Sequence, residues 1–346
     1  RDVWWELRRW PSRRKAWVRI HDAGRLVTTS MRCPIDVAAL RTWAASPAGQ
    51  QMVLHSDGSP SGKTGVAWVQ ALLTRVVTHG APPGEGHIDL EYQYSVVGAD
   101  LYAAGFVTSS REYAIGIEPF KMPKRIRQIA LAKFGLDFDD SASYPRAGMA
   151  LLEEGKTLAA QFLRHRKPIL KTLGNHFFYG AGLGDDVVYS RVKQLFNSLD
   201  MDGTYSQWYD KYKADIPAGR TLAATAHLRV SDSSGQDIGT FDLPTYVSQQ
   251  PRRTEEMAHR MPLMLAMVVK INKARGSDKV SERTLKSYVF QNMEGNARAA
   301  KIQWAAARGA RAINLQHDGV IITPPTGLTA VAIERELTAV CTTTVG

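Results

Sequence analysis

The chain of 346 residues holds only two cysteines, Cys33 and Cys341. Two cysteines build neither a disulfide framework nor a clustered zinc pattern, and they suit a reducing compartment. No apolar run approaches the roughly 20 residues needed to span a bilayer, so no membrane partner is expected. No internal repeat stands out, which sets repeat architectures aside. Acidic residues are the scarcer charged class, 33 against 44 Lys and Arg, leaving a formal charge of +11. Such an excess favours a polyanionic partner, and counterion release from nucleic acid is its usual use. A soluble basic protein with no such partner is the plain alternative. The chain opens on Arg1 rather than Met, as expected of a trimmed or processed product, and a targeting signal could then precede it. An intracellular setting is expected, with nuclear, organellar, viral and plasmid-encoded origins all open.

What is present is a core-sized apolar share: 44% of residues, enough for one large or two ordinary domains. Residues 1–20 (WWELRRWPSRRKAW at the start) read as a helix, either laid against phosphates or packing its tryptophans inward. Residues 55–64 and 80–87, rich in Gly, Pro and Ser, read as loops flanking a helix from Val66 to Val77. The basic segment from Pro123 to Leu131 predicts a helix, and Gly135 to Asp139 a short buried strand. Ala147 to Leu163 predicts one continuous helix. Pro168 opens another, where a missing N–H is harmless, running towards Tyr179. Residues 184–260 mix helix with a strand pair around His227–Phe241, and Ser281 to Arg308 is helical. The run from Ile313 to Ile322 predicts a hairpin with the His317-Asp318 pair at its tip. The alternation is that of an α+β fold on a small antiparallel sheet.

Three clusters carry chemistry. In Asp137-Phe138-Asp139-Asp140, strand alternation points Asp137 and Asp139 to one face. Carboxylates so crowded repel one another unless a cation neutralises them. Two-metal phosphoryl transfer needs carboxylates from separate strands, and Asp318 offers the second. Hard oxygen ligands favour Mg²⁺, two ions, with Mn²⁺ as a substitute. Downstream, Lys171, Asn175 and Tyr179 recur every four residues and share one helix face, where charge could meet phosphates and a ring could meet a base. Two further motifs are set aside. Gly58 to Thr64 (GSPSGKT) has three residues between its glycines, one too few for a phosphate-binding loop. Asp200-Met201-Asp202-Gly203-Thr204 resembles a phosphatase aspartate motif but reads as a turn.

Together these residues resemble the palm and fingers of family A DNA polymerases and of the related single-subunit phage-type RNA polymerases. Asp139 with Ser141 and Arg146 is similar to the first motif of that family. Lys171 with Tyr179-Gly180 is similar to the second, and His317-Asp318 to the third. Lys124-Arg125-Ile126-Arg127-Gln128 resembles the basic stretch that precedes the first motif. Gln291 to Ala300 resembles the helix before the third, with Glu294-Gly295 where the DNA enzymes carry Gln-Gly. The likeness covers residues 96–325. It implies a right-hand polymerase with an antiparallel palm sheet, helical fingers and a reduced thumb. Its divisions are a thumb-like or accessory nucleic-acid-binding region over 1–95, palm over 96–163, fingers with an insertion over 164–270, and palm again over 271–346.

The resemblance also implies roles. Asp139 and Asp318 hold two Mg²⁺ ions, assisted by the Asp140 carbonyl. Lys171 and Lys167 contact the triphosphate. Asn175, Tyr179, Gly180 and Tyr144 complete the nucleotide site. Arg125, Arg127, Arg146, Glu294 and His317 line the primer–template. Tyr144 stands where the DNA enzymes carry Glu and the RNA enzymes Gly, and its ring favours dNTPs by crowding a ribose 2′-OH. Asn175 replaces the usual aromatic or Met, and Gly319 the usual Glu or Ser. The expectation is a compact DNA polymerase without a proofreading exonuclease, working with primer–template, nucleoside triphosphates and an accessory replication protein. A single-subunit RNA polymerase or primase, a non-catalytic nucleic-acid-binding module and an unrelated basic α+β domain are the alternatives.

Overall fold

The computed structural model describes residues 4–8, 15–19, 25–96, 113–114, 118–139, 143–201, 203–274, 282–315 and 319–345. Residues 4–8, 15–19, 25–29, 93–96, 113–114, 270–274, 282–283 and 342–345 are described by backbone alone. In chain order come β1 (Trp4–Arg8), β2 (Lys15–Arg19), β3 (Arg25–Asp36), α1 (Val37–Ala45), α2 (Pro47–Gln50), β4 (Met52–Leu54), β5 (Pro60–Thr64), α3 (Gly65–Leu73) and β6 (Glu85–Val96). Next are β7 (Tyr113–Ala114), a 3-10 turn (Pro119–Lys121), α4 (Lys124–Leu131), β8 (Leu136–Asp139), α5 (Ser143–Leu151), α6 (Lys156–Arg164), α7 (Arg166–Phe178) and α8 (Asp185–Asp200). Then follow α9 (Tyr205–Tyr212), β9 (Arg229–Ser231), β10 (Asp237–Thr240), α10 (Leu243–Ser248), α11 (Gln250–Arg260), α12 (Pro262–Ala274), α13 (Glu282–Ala306), β11 (Ala312–Leu315), β12 (Gly319–Ile322) and α14 (Ala330–Val345). The fold is α+β, mostly helical with small antiparallel sheets. Among the described residues no helix is long and apolar enough to cross a membrane.

The chain divides into two compact units. One combines residues 1–3, 20–141 and 291–346. Its longest feature is the antiparallel pair β3–β6, in register from Arg25↔Val96 to Asp36↔Glu85. Alternation decides its two faces. Cys33, Ile35, Ile88, Leu90 and Tyr92 face the core, while Arg32 and Asp89 pair on the other side at 3.2 Å. The same core takes in Ile126, Leu131, Ile313, Val320 and Ile322. A three-stranded sheet in the order β11-β12-β8 is built into it. Asp36 caps α1, its side chain accepting from the Ala39 N–H at 2.9 Å.

The other unit holds residues 4–19 and 142–290. Its core is aromatic, with Phe162 stacked on Phe196 at 4.1 Å among Phe177, Phe241, Tyr246 and Trp208. Helices α7 and α8 come together where a Cβ on Gly174 would strike Val188 at 2.6 Å.

Several local expectations change. Residues 4–8 and 15–19 pair as antiparallel strands instead of forming a helix. Pro11 bars a helix across this stretch, and Trp and Val favour pleated backbone. Residues 60–64 are a strand paired with β4, not loop. That puts GSPSGKT outside phosphate-loop geometry, and Thr64 instead caps α3 by accepting from Ala67 N–H at 3.3 Å. The expected continuous helix from Ala147 is two helices, α5 and α6. Gly155 takes φ +70°, and Glu256 accepts the N–H groups of Glu153 and Glu154 at 3.0 and 2.9 Å, ending one helix and starting the next. Burial opposes ionisation of Glu256, yet these N–H groups and Arg260 outweigh it and hold its carboxyl below the ordinary range. Strand β8 is a sheet edge among the described residues, alternately half-buried and exposed, not fully buried.

Candidate active site

Strand β8 carries the first acidic cluster. Leu136 and Phe138 turn inward, Asp137 and Asp139 outward, as the alternation predicts. Its neighbour β12 runs antiparallel with Gly319 opposite Asp139, Val320 opposite Phe138 and Ile321 opposite Asp137. Strands β11 and β12 form the expected hairpin, with Leu315 opposite Val320. Gln316, His317 and Asp318, which join them, lie outside the described residues, as does Asp140. Gly319 has a steric reason. A Cβ there would sit 2.8 Å from the Phe138 carbonyl oxygen and 3.1 Å from Asp139 Oδ1. A Glu or Ser at this position would push the strands apart.

The donor chemistry here suits a hard divalent cation. Asp139 is an exposed carboxylate at a strand end, with one oxygen over the backbone that directly follows Asp318. Among the described residues no group of three His, Cys, Asp or Glu side chains could hold a metal ion. The co-ligands expected with Asp139, Asp318 and the Asp140 carbonyl, lie outside the described residues.

Helix α7 begins at Arg166, so Lys167 sits in its first turn and Pro168 at the third position, where a ring without N–H breaks no bond. Ile169, Leu170, Leu173, Phe177 and Phe178 are buried, whereas Lys167, Lys171 and Asn175 are exposed. Tyr179 follows at the C-cap, 73% exposed, and Gly180 takes φ +86°. The helix therefore presents a stripe of two lysines, an amide and a ring. His176 is on the inner side, its Nε2 3.3 Å from the Thr221 carbonyl, and burial lowers its pKa.

The remaining candidates differ in exposure. Tyr144, on α5, stacks on Phe290 at 5.7 Å, and Arg146 is exposed on the same helix. On α4, Arg125 is exposed, but Arg127 is half-buried with its guanidinium 5.3 Å from the Phe120 ring. Glu294 of α13 is only 4% exposed.

Two buried polar clusters escaped sequence reasoning. In one unit Asp200 accepts from Tyr246 and Arg253, at 3.2 and 3.3 Å, while Lys286 donates to Gln250 at 2.9 Å. Asp200, the first residue of the phosphatase-like motif, is therefore a core anchor. In the other unit Tyr92, Glu118 and Asn314 meet behind β11. Asn314 between apolar neighbours was the available signal.

No protein-family model matches the chain, and no curated protein does. Among solved structures it is similar to the polymerase domain of Pol1 from M. smegmatis, in complex with DNA primer-template and dNTP. The identity is 13% and the TM-score 0.41, over 82% of this chain and 47% of that one. The chain thus spans about half the length of the structure it matches.

Proposed function

We propose that the protein is a template-directed nucleotidyltransferase with a right-hand polymerase fold, a compact DNA polymerase that extends a primer from dNTPs. The observation that carries this reading is the register of β8 and β12. Asp139 stands opposite Gly319, and Asp318 is one peptide bond from Gly319, with Cα atoms about 3.8 Å apart. Strands far apart in sequence thereby put the Asp139 carboxylate beside the backbone that follows Asp318. Asp139 and Asp318 would hold Mg²⁺ there, with the Asp140 carbonyl assisting. Bound Mg²⁺ supplies charge for the attacking and leaving oxygens of an in-line phosphoryl transfer.

The chain's own side chains account for the other requirements. The lysines of α7, Lys167 and Lys171, give fixed positive charge for a triphosphate, offsetting charge that develops on the leaving pyrophosphate. Tyr179 offers an exposed face for stacking next to Asn175 and Gly180. The Tyr144 ring, braced by Phe290, selects against a ribose 2′-OH. Arg125, Arg127, Arg146 and His317 line the primer–template, whereas Glu294, expected beside them, is too buried to touch it; the +11 charge supports a polyanionic partner.

The test is primer extension with Mg²⁺ on DNA and RNA templates, offering dNTPs or NTPs. Extension with dNTPs is expected. Extension with NTPs alone, or synthesis without a primer, would move the protein to the RNA polymerase or primase class. Tight primer–template binding without extension under any condition would leave a nucleic-acid-binding module.

A further inference from the structure

Strand β11, which ends at Leu315, is tethered from behind. Among the described residues strand β11 is the outer strand of its sheet, so its outward N–H groups have no strand partner there and need another acceptor. The acceptor at its last residue is Tyr92 of β6, whose hydroxyl oxygen takes the Leu315 N–H at 3.1 Å. The same hydroxyl lies 3.3 Å from Asn314 Nδ2. That amide also reaches Glu118 Oε2 at 3.4 Å, which in turn accepts the Phe120 N–H at 2.8 Å. All three residues are buried: Tyr92 at 2%, Glu118 at 1% and Asn314 at 0% exposure.

The cluster coincides with an irregularity. Ala312 pairs with Ile322 but Asn314 with Ile321, so β11 holds an extra residue. A bulge of this kind bends a strand and re-aims the residues beyond it. Here it buries Ile313, Asn314 and Leu315 in succession. Asn314 Oδ1 is buried without a hydrogen-bond partner among the described residues. An amide kept at that cost is explained by what its Nδ2 holds in place.

We propose that Tyr92, with Asn314 and Glu118, is a positioning residue: it locks the bulge of β11 and so sets the register that lays Gly319 opposite Asp139. This rests on the reading of Asp139 and Asp318 as a metal centre. All three are buried, so their effect is through the strand.

The test uses the full chain with Tyr92→Phe, which keeps the ring and removes the hydroxyl. Amide hydrogen exchange is read over residues 312–322, and Mn²⁺ affinity by electron paramagnetic resonance, beside Asp318→Ala. Exchange in that segment is expected to rise and Mn²⁺ affinity to fall, each by about tenfold, the scale of one lost buried hydrogen bond. Exchange elsewhere and primer–template affinity should stay at wild-type values. If Tyr92→Phe folds poorly, Asn314→Ala is expected to give the same local pattern. Unchanged Mn²⁺ affinity, or exchange raised evenly along the chain, would overturn the proposal. A wild type that binds Mn²⁺ through Asp318 yet extends no primer would defeat the polymerase reading and leave the tether standing. Normal extension with Mn²⁺ binding unaltered in Tyr92→Phe would defeat the tether alone.

Discussion

Gly148 shows how a single residue is decided by what lies across from it. It sits inside α5, where alanine has the better intrinsic propensity by roughly 0.5–1 kcal/mol. A Cβ there, however, would collide with the Arg253 guanidinium, which is itself buried against Asp200. Burial raises the pKa of Asp200, and the charges of Arg253 and Lys286 oppose that rise. Displacing Arg253 would leave the carboxylate short of its partner. Gly148→Ala is therefore expected to destabilise by on the order of 3 kcal/mol, measured by urea unfolding; a stabilised variant would show that Arg253 moves aside at little cost. None of this was legible in the sequence, because Arg253 and Asp200 are 53 positions apart. The Asp139 face was legible, because strand alternation is local.

At the scale of elements, the sequence was most informative where periodicity is strong. α4, α7 and α13 lie close to their expected spans, and the hairpin β11–β12 lies where the apolar runs put it. It misled where a tertiary contact ends an element, as Glu256 does between α5 and α6. It also misled where Trp and Arg suggested an amphipathic helix over residues 1–20. For α7 the expectation is that Lys171→Ala raises KM for the incoming nucleotide by about tenfold or more, the loss of one charge-assisted contact. The melting temperature should hold, since Lys171 is exposed. A fall in melting temperature with unchanged KM would make that face structural.

The element behind β11 gives a pH prediction. Burial raises the Glu118 pKa, against the Phe120 N–H, Asn314 and the charges of Lys121 and Arg127. A carboxyl whose folded pKa is raised keeps its proton after the unfolded chain has released it. Stability therefore falls as pH rises above the ordinary value of 4.5. Glu118→Gln removes that dependence. Its stability relative to wild type should grow with pH, by at most about 1.4 kcal/mol per unit, the limit for one proton. Denaturant unfolding from pH 4 to pH 8 measures it, and parallel curves would mean that Glu118 ionises normally.

For the whole molecule, what composition could reveal was the charge of +11 and a core-sized apolar share. What it could not reveal was the pairing of distant segments. One unit draws on residues 20–141 and 291–346, and the Tyr92–Asn314 contact spans 222 positions. Local patterns carry no information about such partners. Motif order pointed to one such pairing at the level of strands: β8, which ends at Asp139, runs beside β12, which begins at Gly319. The most direct measurement is single-turnover nucleotide addition with Mg²⁺ by the wild type, Asp139→Ala and Asp318→Ala, with primer–template affinity taken alongside. Addition by the wild type, with each variant slowed about 10³-fold or more while still binding primer–template, is the predicted result. Rates within a few-fold of wild type in either variant would contradict a metal centre at the β8–β12 edge.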